Sequence, residues 1–181
     1  MLSEIFDAAW REAYQGIIPG VALDRMLARR GPRWWRSTVG RSRPLVVLEV
    51  GETVIGYVSY GRCRDRSLKA EGEIDEIYLT PSYQGLGYGT RLFRAVRNDL
   101  ADHGLTRLGV WSLEDNARAS AFYEGLGGVA GPRVRRVDDP VEDRVAQVDV
   151  RRGHLDPGAE DLRPVRELAG PHPREEREVL L

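Results

Sequence analysis

The sequence predicts an α/β protein (α+β in some classifications), a mixed sheet with helices on its faces. Three observations carry that reading. Apolar residues recur at helical spacing in four segments and run or alternate over strand lengths in six, in the order α-α-β-β-β-α-β-α-β-β. Two β-α-β passages lie within that order, from strand 73–79 to strand 107–112 and from there to strand 129–137, and such passages put helices on the faces of a sheet. At 181 residues, the chain is long enough for one domain with a single substantial core and an appendage at most.

The elements follow in order. Residues 3–15 read as a helix: Ser3 can cap it, Phe6, Ala9, Trp10 and Ala13 form the apolar stripe, and Gly16 ends it. A shorter helix spans 20–30, with Leu23, Met26 and Leu27 on one face and Gly31-Pro32 as the stop; the basic stretch RWWR follows. Residues 45–50 and 53–60 form two strands around Gly51-Glu52, a hairpin, and 61–72 is a polar loop. In 73–79, EIDEIYL, apolar Ile74, Ile77 and Leu79 are interleaved with carboxylates, as in a half-buried strand. After the glycine-rich turn, Leu92, Phe93, Val96 and Leu100 make a helical stripe that stops at Gly104. Strand 107–112, helix 116–126 and strands 129–137 and 144–151 complete the body. Residues 153–181 are rich in proline and charge and read as a tail that orders only by docking.

Composition excludes several classes. The net charge of −1 gives no bulk attraction to nucleic acid or anionic lipid. No apolar run approaches the ~20 residues of a membrane span, and the N-terminus lacks the pattern of a signal peptide. Cys63 is the single cysteine, so no intrachain disulfide or cysteine-based metal cluster can form, and His103, His154 and His172 are too far apart for a local metal motif. The expectation is a cytoplasmic protein with no metal, no nucleic-acid partner and no membrane.

The most informative segment is Gln84-Gly85-Leu86-Gly87-Tyr88-Gly89-Thr90, between a strand and a helix. Its backbone N–H groups at a helix start make an anion cradle, and pyrophosphate is the natural ligand. A P-loop would need Gly-Lys-Ser/Thr, and a dinucleotide fingerprint would need G-x-G-x-x-G; neither is present. Gln84-x-x-Gly87-x-Gly89 resembles the pyrophosphate loop of the GNAT superfamily of acyl-CoA-dependent N-acyltransferases. The block at 111–127 agrees with it: Asn116, Ala119, Phe122, Tyr123, Glu124 and Gly127 are similar to the segment after that family's fifth strand. AWREAYQGIIP at 9–19 resembles its paired-helix start. The resemblance covers roughly residues 5–151 and implies a GNAT fold, a mixed, mostly antiparallel sheet over residues 1–152, with 153–181 as the tail. There are two departures. The strand that usually precedes the first helix is missing here, so the native start is expected either to lie upstream or to lack that strand. Position 128 is Gly where many members have Phe.

The resemblance implies an enzyme moving an acetyl group from acetyl-CoA, as cosubstrate, to a primary amine by direct transfer in a ternary complex. The reaction needs a base to neutralise the amine, a donor for the oxyanion and a donor for the departing sulfur. Glu73, eleven residues before Gln84, is the expected base, with Asp75 on the same pleat face and Glu76 on the opposite one as competitors. Tyr123 is the expected acid, against a reading as a core aromatic. Ile77 and Leu79 would contact the pantetheine, with a strand amide as oxyanion donor. Gln84, Gly85, Gly87, Gly89 and Thr90 would hold the pyrophosphate. Asn116 would bond the pantetheine or simply cap its helix. The rival reading is a non-catalytic acyl-CoA-binding or regulatory module.

The acceptor is a small-molecule amine or a protein N-terminus, and a homodimer is allowed. By resemblance, the acceptor groove involves Tyr14, Trp34, Trp35, Tyr57 and the loop carrying Asp138, Asp139, Glu142 and Asp143, whose alternative role is solvated charge. Four carboxylates beside an aromatic wall would suit a cationic amine. Replacing these four acids with amides should raise the acceptor KM in steady-state assays and leave acetyl-CoA affinity unchanged; an unchanged KM would exclude the loop from acceptor binding.

Overall fold

The structure, a computed structural model, describes residues 1–39, 41, 43–65, 68–134 and 143–149, and of 132–134 and 143–149 the backbone only. Asp138, Asp139, Glu142 and the tail 153–181 lie outside the described residues. The chain runs α1 (Leu2–Tyr14), α2 (Gly20–Arg29), α3 (Pro32–Thr38), β1 (Leu45–Val50), β2 (Thr53–Arg62), β3 (Gly72–Leu79), a single 3-10 turn (Pro81–Tyr83), α4 (Tyr88–Asp102), β4 (Arg107–Leu113), α5 (Ala117–Gly125), β5 (Gly128–Val134) and β6 (Asp143–Asp149). Among these residues no strand precedes α1, and no helix is long and apolar enough to cross a membrane.

Two local expectations change. The first helix starts at Leu2, so Ser3 lies inside its first turn and caps nothing. Residues 32–38, unassigned from periodicity, form α3. Pro32 both stops α2 and opens α3, because a proline at the first helical position lacks only an N–H that the helix would leave unbonded.

The sheet order is β1-β2-β3-β4-β6-β5. Every neighbouring pair is antiparallel except β3 and β4. The second β-α-β passage therefore does not make β4 and β5 neighbours; β6 lies between them. On one face, α1–α3 bury Ile5, Phe6, Leu23, Leu27 and Trp35 against Val47, Val54 and Tyr57. On the other, α4 and α5 bury Leu92, Phe93, Val96 and Tyr123 against Ile55, Val58, Ile74 and Leu108. Each such side chain removed from water contributes about 1.5–3 kcal/mol.

A bulge in β3 positions the site. Its pairing with β2 shifts between Ser59↔Glu76 and Tyr60↔Ile74, leaving Asp75 as the extra residue. Ile74, Ile77 and Leu79 consequently share the α4–α5 face, while Tyr78 packs on the α1–α3 face. Glu76 bonds Tyr57 on that same α1–α3 face. Glu76 is thus on the side of Asp75, where simple alternation had put it opposite.

Leu79 of β3 pairs with Gly56 of β2, and a Cβ on Gly56 would collide with Leu79 Cδ2 and lie 2.7 Å from the Tyr78 carbonyl oxygen. The backbone atom cannot yield without moving the strand. Gly56→Ala should cost about 1–3 kcal/mol, which thermal unfolding would register as roughly 2–4 °C per kcal/mol; an unchanged melting temperature would mean that the strand pair adjusts freely.

Candidate active site

The site begins where β3 and β4 separate. The two strands pair at Gly72↔Leu108, Glu73↔Gly109 and Ile74↔Val110 and no further. Their closed end is pinned by Glu71, whose carboxylate accepts from the backbone N–H of Thr106 at 2.7 Å and of Arg107 at 3.2 Å; these bonds hold it below the usual carboxylate range. Past Ile74 and Val110 the strands diverge around a cavity of about 450 Å³, walled by Asp75–Leu79 of β3 and Val110–Ser112 of β4. Asp75–Leu79 have no sheet partner on the β4 side, which leaves main-chain donors and acceptors facing the cleft.

One end of the cleft is the glycine turn. Gly85, Gly87, Gly89, Thr90 and Gln84 all line the cavity. Gly85 and Gly87 have φ of +75° and +83°, in the left-handed region, and a Cβ at either would meet no atom within 4 Å. The turn therefore exposes backbone to open space. Gly87 is the N-cap of α4 and supplies no side-chain cap, so the first N–H groups of α4 are free to face an anion. The Gln84 side chain donates from Nε2 to the Leu79 carbonyl at 2.9 Å, which ties the turn to the end of β3.

Helix α5 closes the second wall. Asn116 caps it, accepting from the Ala119 N–H at 3.0 Å, and it also lines the cleft. Tyr123 is buried yet lines the cavity, and burial pushes its hydroxyl well above the ordinary tyrosine value, with Tyr14 adding to the shift. Tyr14 of α1 also lines the cleft and hydrogen-bonds Tyr78, whose pKa is likewise raised, mainly by burial. The Tyr123 and Tyr78 hydroxyls stay protonated at any working pH. Across the mouth, Arg118 of α5 reaches Glu12 of α1 at 3.4 Å.

The carboxylates of β3 divide into two groups. Glu73 is not among the cavity's lining residues. It is buried, and its Oε2 accepts from Arg43 Nη2 at 3.3 Å and from the Arg64 backbone N–H at 3.2 Å. Asp75 reaches the cavity wall, but Arg43 grips both of its oxygens and Arg64 adds a further bond. Glu76 also lines the cavity and is bound by Arg30 and by the Tyr57 hydroxyl. Among the described residues, no group of His, Cys, Asp and Glu is arranged to hold a metal.

The cleft brings together Tyr123, Ile77, Leu79, Gln84, Gly85, Gly87, Gly89, Thr90, Asn116 and Tyr14. The expected acceptor wall comes together only in part. Trp34 and Trp35 bound a separate small pocket, and Tyr57 is fully buried in the core beneath α1–α3. Sequence reasoning missed Tyr78, Trp111, Phe122 and Arg30. The spacing Ile74, Ile77, Leu79 could have revealed the bulge, since a three-residue step breaks strand alternation; nothing singles Arg30 out among the arginines.

A family model described as acetyltransferase (GNAT) family matches residues 2–127. The uncharacterized N-acetyltransferase YuaI of Bacillus subtilis (strain 168) is 28% identical over 145 residues, 75% of this chain and 83% of that one. Thialysine N-epsilon-acetyltransferase of Bos taurus is 32% identical over 81 residues, 42% of this chain and 45% of that enzyme. The crystal structure of PaiA N-acetyltransferase from Thermoplasma acidophilum in complex with coenzyme A has a TM-score of 0.64 at 15% identity, covering 82% of this chain and 90% of that one, a likeness of fold.

A side chain at Gly87 would meet no steric obstacle and only backbone strain. Gly87→Ala should therefore cost about 1–2 kcal/mol, a small loss of melting temperature in a chain that stays folded by circular dichroism. A collapse of the fold would mean that the turn has a structural role that the open space around it does not indicate.

Proposed function

This chain belongs to the GNAT acetyltransferase family, and on that premise we propose that it transfers an acetyl group from acetyl-CoA directly to a primary amine. The observation that carries this is the cleft between β3 and β4, open along unpaired backbone and ending at the glycine turn. The residues present suit acetyl-CoA. The N–H groups around Gly85–Thr90 would take its pyrophosphate, Ile77, Leu79 and Asn116 its pantetheine arm, and the thioester would then lie between Tyr123 and β3. Coenzyme A in the Thermoplasma neighbour supports that cosubstrate.

The chemistry follows from the groups at the cleft. An alkyl ammonium has a pKa near ~10.4 and cannot attack until it loses a proton. Glu76 is the base in this reading, acting through water. Its position on the cavity wall favours it over Glu73, which is turned to Arg43 and Arg64, and a single arginine neutralises it where two arginines hold Asp75. The neutral nitrogen attacks the acetyl carbonyl carbon, and the oxygen gains charge that a β3 backbone N–H stabilises. The C–S bond then breaks; the nitrogen's second proton passes to solvent, and the thiolate takes one to become the free thiol. Tyr123 donates a hydrogen bond to the departing sulfur, and its raised pKa keeps it a donor wherever the amine is reactive. The acceptor is a small-molecule amine or a protein N-terminus, and the bovine relative's name puts thialysine on the first panel.

Thermal unfolding with acetyl-CoA at about 100 times Kd should show about 2.7 kcal/mol of stabilisation, roughly 5–10 °C, with no shift from NADH or ATP. Tyr123→Phe should keep that shift and lose about 100-fold in turnover, followed by thiol release with thialysine, spermidine and a free N-terminal peptide. No shift with acetyl-CoA would refute the reading. Acetyl-CoA binding without turnover on any amine would favour a non-catalytic binding module.

A further inference from the structure

Glu76 stands between two cavities. It lines the cleft, and it also lines a pocket of about 40 Å³ bounded by Trp34, Trp35, Arg43 and Ser59 on the α1–α3 face. Both of its oxygens are bonded. The guanidinium of Arg30, at the C-terminal cap of α2, donates to Oε1, and the Tyr57 hydroxyl donates to Oε2 at 3.0 Å. Each donor is held in turn. The Arg30 guanidinium lies 5.1 Å from the Phe6 ring centroid and 4.8 Å from that of Trp34, between two aromatic rings. The Tyr57 ring is fully buried and meets Trp35 edge-on at 5.1 Å and Tyr78 at 5.9 Å.

We propose that Arg30 and Tyr57 are positioning residues for Glu76, fixing the orientation in which its carboxylate takes the acceptor's proton. This rests on the reading of Glu76 as the base. Three features single out the pair. A glutamate side chain has several free torsions, and a donor on each oxygen leaves it one orientation. The bulge at Asp75 turns two successive carboxylates to one face, and their cations are divided: Arg43 and Arg64 serve Glu73 and Asp75, while Arg30 serves Glu76. Tyr57, its pKa raised by burial and by Glu76 itself, remains a donor throughout the working range.

The charged and titratable groups facing Glu76 are Arg30 from the end of α2, Tyr57 from β2, Asp75 and Tyr78 from β3, Tyr14 from α1 through Tyr78, and Arg43 from the approach to β1. Arg30 is the nearest cation, and an adjacent cation favours the ionised form of a carboxyl. Replacing it with a neutral side chain leaves Glu76 beside Asp75 without its own counter-charge.

The test uses the full chain in thiol-release assays with acetyl-CoA and the best acceptor among thialysine, spermidine and the peptide. In Arg30→Met, whose unbranched stem still covers the rings, kcat should fall about tenfold while the acetyl-CoA KM holds. Tyr57→Phe should lower kcat less, and Arg30→Lys should recover part of the loss but not all of it, because the planar fork is lost. The rise in melting temperature on adding acetyl-CoA should be kept in all three variants, which separates a positioning role from a structural one. Unchanged kcat in both Arg30→Met and Tyr57→Phe, with Glu76→Gln inactive, overturns the clamp and leaves the base in place. Wild-type turnover in Glu76→Gln overturns the base reading and the clamp's catalytic role with it.

Discussion

Parallel strands β3 and β4 share three residue pairs and then part, and the rest of the site is built on what that parting exposes. Had pairing continued, the backbone of Asp75–Leu79 would be satisfied by its neighbour and the interior closed. The separation leaves polar main chain in a setting partly shielded from water, where each unpaired donor or acceptor costs about 1–3 kcal/mol. Such a cost persists only where the surrounding structure imposes it. Here the Glu71 carboxylate pins one end of the strand pair, and the Gln84 amide ties the glycine turn to the far end of β3. The helices supply the walls: α4 brings its open N-terminus, α5 brings Tyr123, and α1 brings Tyr14.

The α1–α3 face carries the complementary burden. Glu76 sits beside Trp34 and Trp35 under Arg30, and Glu73 and Asp75 are paired with Arg43 and Arg64. Carboxylates so far withdrawn from water need cations, and breaking one such pair by removing a single partner typically costs about 3–5 kcal/mol. Arg43 bridges Glu73 and Asp75 with one guanidinium, which suits its forked donors better than an ammonium would. The aromatic residues predicted to face an acceptor are largely occupied in this support: Trp35 and Tyr57 pack beneath the helices, and Trp34 stacks on Arg30.

Much of the architecture was legible in the chain, and the failures share a cause. The helices follow from apolar stripes and glycine stops, and Gln84–Thr90 reads as an anion-binding turn because left-handed backbone and a helix start both leave their mark in glycine. Asn116 and Tyr123, which line the cleft, were singled out by the resemblance of the 111–127 block, a pattern that is local in sequence. Glu73 was singled out by its spacing to Gln84 and the resemblance, whereas the placing of Glu76 opposite Asp75 rested on strict strand alternation, which the bulge at Asp75 breaks within a few residues. The grouping of Trp34, Trp35 and Tyr57 with the acceptor depended on which layer each ring enters, and that is decided by helix packing across the sheet. Helix α3 was hidden because its proline also marks the end of α2.

A sheet is stiff where every strand is bonded to both neighbours along its length. In this one, the β1-β2-β3 half and the β4-β6-β5 half are sewn together by a short seam at one end. Beyond that seam, no ladder among the described residues holds the angle between these two leaves. A ligand whose amides run along the free edge of β3 supplies the missing rungs and stiffens the pair. Whatever order the leaves gain is then deducted from the ligand's affinity, and whatever stiffness they already possess is added to it. The grip on the cosubstrate and the rigidity of the sheet are therefore coupled properties, and a substitution far from the cleft that loosens the seam weakens both together.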